Sequence, residues 1–211
     1  MKSLPALLLL GFALSLCNLA SKLHGGKSSS GSGSSSSSSS SGPSDITAEH
    51  GDATPAQLAA IAGGQPAKWE RQGMSWTVPA SWKETTNESK EFVWNSTKGE
   101  LASLIVSISP MPEDFPADAS SKAEYESARS RAKNGEVDEV KWVEIDGIKG
   151  VQFREANPEH SDDSRRLQWL GFRKFTGQLQ QINVMLASNG KGFPSHQDEM
   201  YGILYSMKIT H

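Results

Sequence analysis

The sequence predicts an α+β domain in which helices pack on the faces of an antiparallel sheet. Two pairs of strand-like segments flank two-residue turns, at Asp146-Gly147 and at Thr176-Gly177. Turns of this length join neighbouring antiparallel strands. The segments with helical spacing of apolar residues lie apart from these pairs along the chain, which favours the α+β class over alternating βαβ units.

The first predicted helix follows the segment Thr54-Pro55-Ala56-Gln57. Thr54 is suited to cap the helix, Pro55 to occupy its first position, and Gln57 to complete a capping box. The apolar run 58–62 follows, and Gly63-Gly64 ends it.

Strands are predicted at 74–78, at 91–94 and at 101–109. In the last of these, Leu104, Val106 and Ile108 alternate with serines, and Ile105 is the one departure from the pattern. Such alternation is typical of a strand with one buried face.

The next helix is predicted from a capping box at Ser121–Glu124. Tyr125, Ala128 and Ala132 share one of its faces, and Asn134-Gly135 ends it.

The two hairpins combine strands 140–145 with 148–153 and strands 167–175 with 179–186. A final helix is predicted to begin with Ser195 as its cap and to bury Met200, Ile203 and Leu204. A short strand or tail at 206–210 follows it.

The start of the chain predicts export. Lys2 precedes a run from Leu4 to Cys17 that is almost wholly apolar, the length of a signal-peptide core and too short for a comfortable membrane-spanning helix. Residues 28–42 are serine and glycine only, a composition that cannot bury apolar surface. We therefore divide the chain into an export signal (1–20), a Ser/Gly-rich tether (21–45), a lead-in with a short helix (46–68) and one α+β domain (69–211).

Cys17 is a candidate lipidation site. Its place at the end of the apolar run resembles a bacterial lipoprotein lipobox, in which the cysteine is acylated, although Leu16 stands where that motif prefers a small residue. Cleavage after Ala20 and an uncleaved N-terminal anchor are the two alternatives.

Charge and cysteine content exclude several kinds of function. Without Lys2, Lys22 and Lys27 the chain carries 18 basic and 24 acidic residues, a balance of −6 with no basic block. Nucleic acid is therefore not an expected partner. Cys17 is the only cysteine, so the domain has no disulfide and no cysteine metal ligand.

The order of elements resembles the Mog1/PsbP-like superfamily. The segment 74–82 (MSWTVPASW) looks like its opening strand, proline turn and tryptophan, 101–110 like its next long strand, and 203–208 like its closing helix and end. The resemblance implies an α/β/α sandwich over residues 70–210. It implies no catalytic residues, since that superfamily shares none and many members are binding or assembly factors.

Two polar segments are candidate sites. Glu159–Asp163 contains one histidine and three carboxylates, but it lacks EF-hand spacing, and a solvated loop is favoured over a metal site. Arg165-Arg166 and Arg173-Lys174 form either a small basic patch or a solvated strand face, and the solvated face is favoured.

Four tryptophans line either a ligand cleft or the core, and the core is favoured: Trp82, Trp94, Trp142 and Trp169. No serine lies in a hydrolase motif, and no glycine-rich phosphate loop follows a strand. We expect no catalytic residues, no cofactor and no metal.

The expected function is a non-enzymatic, exported module that binds or assembles components of the cell envelope and is tethered to a membrane by a lipid anchor. Its expected partner is an envelope protein or a small ligand. The alternative is a soluble exported protein, periplasmic in location, that binds a small ligand, and an envelope hydrolase is the third possibility.

Overall fold

The computed structural model describes residues 47–210. Within this range there are three α-helices: α1 (Pro55–Ala60), α2 (Ala117–Lys133) and α3 (Phe193–Tyr205). The strands are β1 (Glu49–His50), β2 (Gln65–Trp69), β3 (Met74–Val78), β4 (Trp82–Asn87), β5 (Glu91–Ser96), β6 (Ala102–Pro110), β7 (Val137–Ile145), β8 (Ile148–Glu155), β9 (Ser164–Phe175), β10 (Gln178–Asn189) and β11 (Lys208–Ile209).

Eight strands form one large sheet in the order β1-β7-β8-β9-β10-β6-β5-β4, and the other three form a small sheet in the order β11-β3-β2. Every pair is antiparallel except β1 with β7, where Glu49 lies opposite Val143 in parallel. The predicted α+β class is confirmed, and the parallel edge strand makes the large sheet mixed.

Both predicted hairpin turns are present. Asp146-Gly147 joins β7 to β8 and Thr176-Gly177 joins β9 to β10, with positive φ at all four residues. Two successive positive φ angles are the mark of the turn that matches the twist of antiparallel strands.

The predicted capping box of α1 is confirmed, whereas the other two predicted helix starts are wrong. The Gln57 amide N–H donates to Thr54 Oγ1 at 3.3 Å, and the Thr54 N–H donates to Gln57 Oε1 at 2.9 Å. α2 begins one turn before Ser121, directly after Pro116, and Ser121 is buried inside it. α3 begins at Phe193, and Ser195 Oγ donates to the Gly192 carbonyl from within the first turn.

The main core lies between one face of the large sheet, which we call the inner face, and a layer made of α3, α1 and the small sheet. Met200, Ile203 and Leu204 of α3 are fully buried in it, as predicted. The segment 46–68 contributes β2 and α1 to this layer, and Ile61 belongs to the core.

A second, smaller core lies on the outer face of the large sheet, beneath α2. Ala128 of α2 packs there against Val137, Val151 and Phe153, which come from β7 and β8. The resulting order of layers is helix, sheet, then helices with the small sheet, which is the expected sandwich.

Candidate functional site

α2 covers only the part of the outer face that β7, β8 and β9 form. On β5, β6 and β10 alternate residues point to the same side, and all are half-buried. We call this surface the neutral face, since none of its residues carries a charge: Val93, Asn95, Ser103, Ile105, Ser107, Gln181, Asn183, Met185 and Ala187.

The register across the three strands arranges these side chains in rows. Val93, Ile105 and Met185 lie opposite one another and form an apolar strip across the face. In the next row Ser107 lies between Asn183 and the exposed Glu91. The face therefore offers an apolar strip beside neutral hydrogen-bonding groups, with the Glu91 carboxylate at its edge.

Hydrogen bonds orient the polar side chains of the neutral face. Ser103 Oγ donates to Asn95 Oδ1 at 2.6 Å, and Gln168 Nε2 donates to Asn183 Oδ1 at 2.8 Å. Such a surface can be covered without removing any charge from water, which is the costly part of burying polar surface. Depletion of charged residues is also the compositional sign of the centre of a protein interface.

A cleft of about 310 Å³ opens at one end of the neutral face. Ser103 and Ala187 belong to both, and Leu101 at the cleft is 64% exposed. Glu100 borders the cleft, and its hydrogen bond with Lys191, at 3.0 Å, lowers the pKa of the Glu100 carboxyl below its usual value. The cleft thus adds an exposed apolar side chain and an exposed ion pair to the end of the neutral face.

His196 lies behind this cleft and is buried. Its Nδ1 is 2.8 Å from Glu199 Oε2, and its Nε2 is 2.9 Å from the carbonyl oxygen of Glu100. Both ring nitrogens are occupied by acceptors, so the imidazole joins α3 to the β5–β6 connection. Neither ring nitrogen of His196 faces a serine or other nucleophile.

A polar network closes the inner face beside β7. Asp138 accepts from Arg154 Nε and from Arg165 Nη2, both at 2.6 Å, and Arg165 is buried with its guanidinium 4.4 Å from the ring of Phe193. The carboxylate is held by two guanidinium groups and thus links β7 to β8 and β9.

Two tyrosines of α3 complete the network. Tyr201 OH donates to Glu139 Oε1 at 2.7 Å, and Tyr205 OH donates to Gln152 Oε1 at 2.9 Å. Burial raises the pKa of Tyr205 to about 12 and raises that of Tyr201 further. Both phenols therefore stay protonated at neutral pH and act as hydrogen-bond donors that fasten α3 to the sheet.

The expectation of a solvated basic strand face is wrong for two of its four residues. Arg165 and Arg173 are both 6% exposed, because odd-numbered positions of β9 point to the inner face. Arg166 points to the outer face, where it is ion-paired with Glu155, and Lys174 is exposed. The four side chains therefore form no common patch.

The remaining sequence candidates are the loop 159–163 and the four tryptophans. The loop 159–163 is exposed, and within residues 47–210 no group of three or more His, Cys, Asp or Glu side chains is placed to hold a metal ion. Trp82 and Trp169 are fully buried and Trp94 nearly so, which confirms the core interpretation for these three. Trp142 packs against Tyr125 beneath α2 and is half-buried.

Cys17, the predicted export signal and the Ser/Gly tract lie outside the described residues. None of the helices between residues 47 and 210 is long and apolar enough to cross a membrane.

The neutral face was not among the sequence candidates. A trace of it is visible in the serines at 103, 107 and 109, which alternate with apolar residues, and in Ile105, which breaks that alternation on the exposed side. An apolar residue on the outward side of an otherwise polar strand was the available signal.

Comparison with known proteins shows similarity at the level of structure. No family model and no curated protein matches the chain. The structure is similar to that of LpqN, involved in cell envelope biogenesis of Mycobacterium tuberculosis, with 13% identity and a TM-score of 0.51 over 78% of this chain and 90% of that one.

Three further structures align with lower scores. Cyanobacterial PsbP from Synechocystis sp. PCC 6803 aligns over 69% of this chain and 92% of that one, with 12% identity and a TM-score of 0.44. The Ran-binding protein Mog1p of Saccharomyces cerevisiae aligns over 69% of this chain and 95% of that one, with 9% identity and a TM-score of 0.43. A Bacteroides thetaiotaomicron VPI-5482 protein matches with 13% identity and a TM-score of 0.42 over 70% of this chain. The match spans about half, 49%, of the length of that protein.

The architecture is the α+β sandwich that the sequence resemblance implies. The similarity to LpqN shows a shared fold, and at this identity it shows the fold alone.

Proposed function

We propose that this protein is a non-enzymatic, exported binding module of the cell envelope, tethered to a membrane through its N-terminal segment, and that it binds a protein partner through the neutral face. The observation that carries the proposal is the absence of charge from that face. The 23 acidic and 18 basic residues after the tether all lie elsewhere, with Glu91 and Arg166 at the edges of the face.

The envelope location is supported by two independent observations. The apolar run ending at Cys17 and the Ser/Gly tract after it have the composition of an export signal and a flexible spacer. The structurally similar LpqN is a protein of cell envelope biogenesis. A domain held off a membrane by a spacer is suited to meeting a neighbouring envelope protein.

The neutral face is smaller than the surface that a stable protein interface buries. With strands about 4.8 Å apart and alternate residues about 6.7 Å apart, three strands and three rows present roughly 300–400 Å². Stable interfaces bury about 800 Å² on each partner. The neutral face therefore forms the uncharged centre of a contact whose rim includes charged residues such as Glu91 and Arg166.

A soluble exported protein that binds a small ligand is the second candidate function, and the cleft at Leu101 is the observation that favours it. Its volume, about 310 Å³, lies at the lower end of the range for ligand sites. Leu101, Asp162 and Ser164 of its lining are exposed, and we rank this function second.

Site-specific photocrosslinking in the native envelope tests the proposal. A photoreactive residue is placed at Ile105 or Met185 of the full-length protein, and at Lys68 or Lys208, exposed residues of the small sheet, as controls. We expect one protein to be crosslinked from both positions of the neutral face and from neither control.

A charge variant then tests whether the contact depends on neutrality. Ser107→Asp places a carboxylate on the central strand of the neutral face, beside the apolar strip and opposite Glu91, and Ser75→Asp places one on the outward side of β3 in the small sheet. Ser107→Asp should abolish crosslinking from Met185 with a loss of stability of at most about 1 kcal/mol from the two facing carboxylates, and Ser75→Asp should leave the crosslinking intact. Equal crosslinking from all four positions, or no effect of Ser107→Asp, would refute the proposal.

A further inference from the structure

The outward side of the small sheet carries a row of three polar residues. Lys68 of β2 and Lys208 of β11 both lie opposite Ser75 of the central strand β3. Since adjacent strands are about 4.8 Å apart, the two lysine Cα atoms are roughly 10 Å apart with the serine between them. We call these three residues the basic row.

A shallow pocket of about 360 Å³ lies over the basic row and extends to Gly73 and Thr210. All three residues of the row line it, so two ammonium groups and one hydroxyl group border the same space. Each is a hydrogen-bond donor, and the two lysines are mobile enough to converge on a ligand between them.

A buried cation lies behind this pocket. Arg173 Nη2 donates to the carbonyl of Gln72 at 2.7 Å, the residue before Gly73. The guanidinium lies 4.3 Å from the ring centre of Phe175, and a carbon of that ring is 3.1 Å from the place where a Cβ at Gly73 would lie. Arg173 is thus separated from the pocket by one layer of atoms.

The charge of Arg173 is not neutralised by any carboxylate within 4 Å among residues 47–210, and its Nη1 has no hydrogen-bond partner there. Arg165, buried to the same degree on the same strand, has Asp138 at 2.6 Å. Burial lowers the pKa of Arg173 to about 10, so it remains charged at neutral pH. An unpaired charge in a region of low dielectric acts over a longer distance than a solvated one.

The local charge balance is positive although the domain as a whole is acidic. Lys68, Lys208 and Arg173 are the cations at the pocket, and the carboxylates beside them are Glu70 and Asp146. Asp146 Oδ1 is 3.2 Å from the ammonium of Lys208, which is 71% exposed. Exposed pairs of this kind contribute little and exchange readily, so Lys208 can turn to another anion.

We propose that this pocket binds a phosphate-type oxyanion, either free phosphate or the phosphate of a lipid headgroup. Such a group has enough acceptor oxygens to take hydrogen bonds from both lysines and from Ser75 at once, and the lysines act on it as point charges. The buried Arg173 adds attraction from behind. The site is independent of the neutral face and of the function proposed for that face.

Lysine footprinting of the full-length protein in a phosphate-free maltoside detergent tests the site. Acetylation rates of Lys68 and Lys208 are compared in sodium phosphate and in sodium chloride of equal ionic strength, with Lys83 and Lys149 as internal controls. We expect phosphate to slow the first pair by more than two-fold once it exceeds its dissociation constant, because more than half of the sites are then occupied. The controls should react at the same rate in both salts.

Two variants separate binding from stability. Ser75→Asp puts a carboxylate between the two lysines and should abolish the protection, and the matched Ser107→Asp on the other sheet should retain it. Arg173→Met should weaken the protection at least several-fold and keep the fold, because an apolar side chain replaces an unpaired buried charge. If Arg173→Met does not fold, the comparison of Ser75→Asp with Ser107→Asp decides whether phosphate binds at the basic row.

An experiment with lipid vesicles decides whether the bound phosphate is free or belongs to a lipid headgroup. The full-length protein is reconstituted into phosphatidylcholine vesicles with and without phosphatidylglycerol, and the same four lysines are footprinted. Protection of Lys68 and Lys208 by phosphatidylglycerol alone assigns the site to a lipid headgroup, and protection by free phosphate assigns it to the soluble anion. Equal slowing of all four lysines, or no protection by either free phosphate or phosphatidylglycerol, would refute the proposed site. Neither result bears on crosslinking from the neutral face.

Discussion

Replacing Gly171 by alanine is expected to disturb the packing of Trp169 in the middle of the large sheet. Gly171 of β9 is paired with Gly150 of β8, and the indole of Trp169 lies over both on the inner face. A Cβ on Gly171 would lie 2.4 Å from Cη2 of that indole. Carbon atoms need about 3.5 Å, so the ring would have to move by roughly 1 Å.

The surroundings of the indole leave little room for this movement. Trp169 is fully buried, and its Nε1 donates to the carbonyl of Val143 at 3.3 Å. Overpacking of this kind costs about 1–3 kcal/mol, and loss of the indole hydrogen bond about 1 kcal/mol more. Alanine is better than glycine in a strand by about 0.5–1 kcal/mol. We therefore expect the free energy of unfolding to fall by about 2 kcal/mol.

Urea unfolding followed by circular dichroism measures this loss as a lower midpoint at an unchanged slope. The control is Gly171→Ala in a Trp169→Leu background, where the clashing ring is absent. There the alanine should be neutral or stabilising, by up to about 1 kcal/mol. A loss below about 0.5 kcal/mol in the parent protein, or the same loss in both backgrounds, would refute the packing argument.

The remaining predictions concern a turn, an ion pair, a tyrosine and a loop. Thr176 has φ of 49°, which β-branched residues disfavour, so Thr176→Asn should raise the free energy of unfolding by about 1 kcal/mol, seen as a higher melting temperature. Asp138→Asn leaves the buried Arg165 without a carboxylate and should cost about 2 kcal/mol in urea unfolding, whereas Glu113→Gln, in an exposed pair, should cost less than about 0.5 kcal/mol. The pKa of Tyr205 rises from 10.0 to about 12 on folding, so the contribution of this tyrosine to stability is present below pH 10 and lost between pH 10 and 12. Tyr205→Phe should therefore make the loss of stability at alkaline pH less steep. Parallel curves of unfolding free energy against pH for the two proteins would contradict this. The loop 159–163 should bind no structural metal, so chelation with EDTA should leave the melting temperature unchanged, and a shift of several degrees would contradict this.

The elements that sequence patterns predicted share a strong local signal. The two-residue turns at Asp146 and Thr176 and the apolar spacing of α3 are determined within a few residues, and the structure confirms them. β2 and β4 were not predicted, because they lie at the edges of their sheets and carry few apolar residues. Their pairing partners, rather than a pattern of their own, make them strands.

The candidate sites were less predictable than the fold. Alternation along β9 did not reveal that Arg165 and Arg173 point inward, since buried arginine is rare and charged residues are expected in solvent. The neutral face combines positions of three strands, and it is a surface only because α2 lies to one side of it. Neither feature is local in sequence.

Sequence alone determined the fold class, the two hairpins, the face of α3 that is buried and the prediction of export, because each depends on the composition or periodicity of one short segment. Tertiary structure alone decided which strands are neighbours, which side of each strand remains uncovered, and which buried arginine has a counter-ion. These are relations between residues as far apart as Gln72 and Arg173, which lie 101 positions apart and are joined by two hydrogen bonds. Local propensity does not encode such contacts, because they form only when the packed layers bring distant segments together.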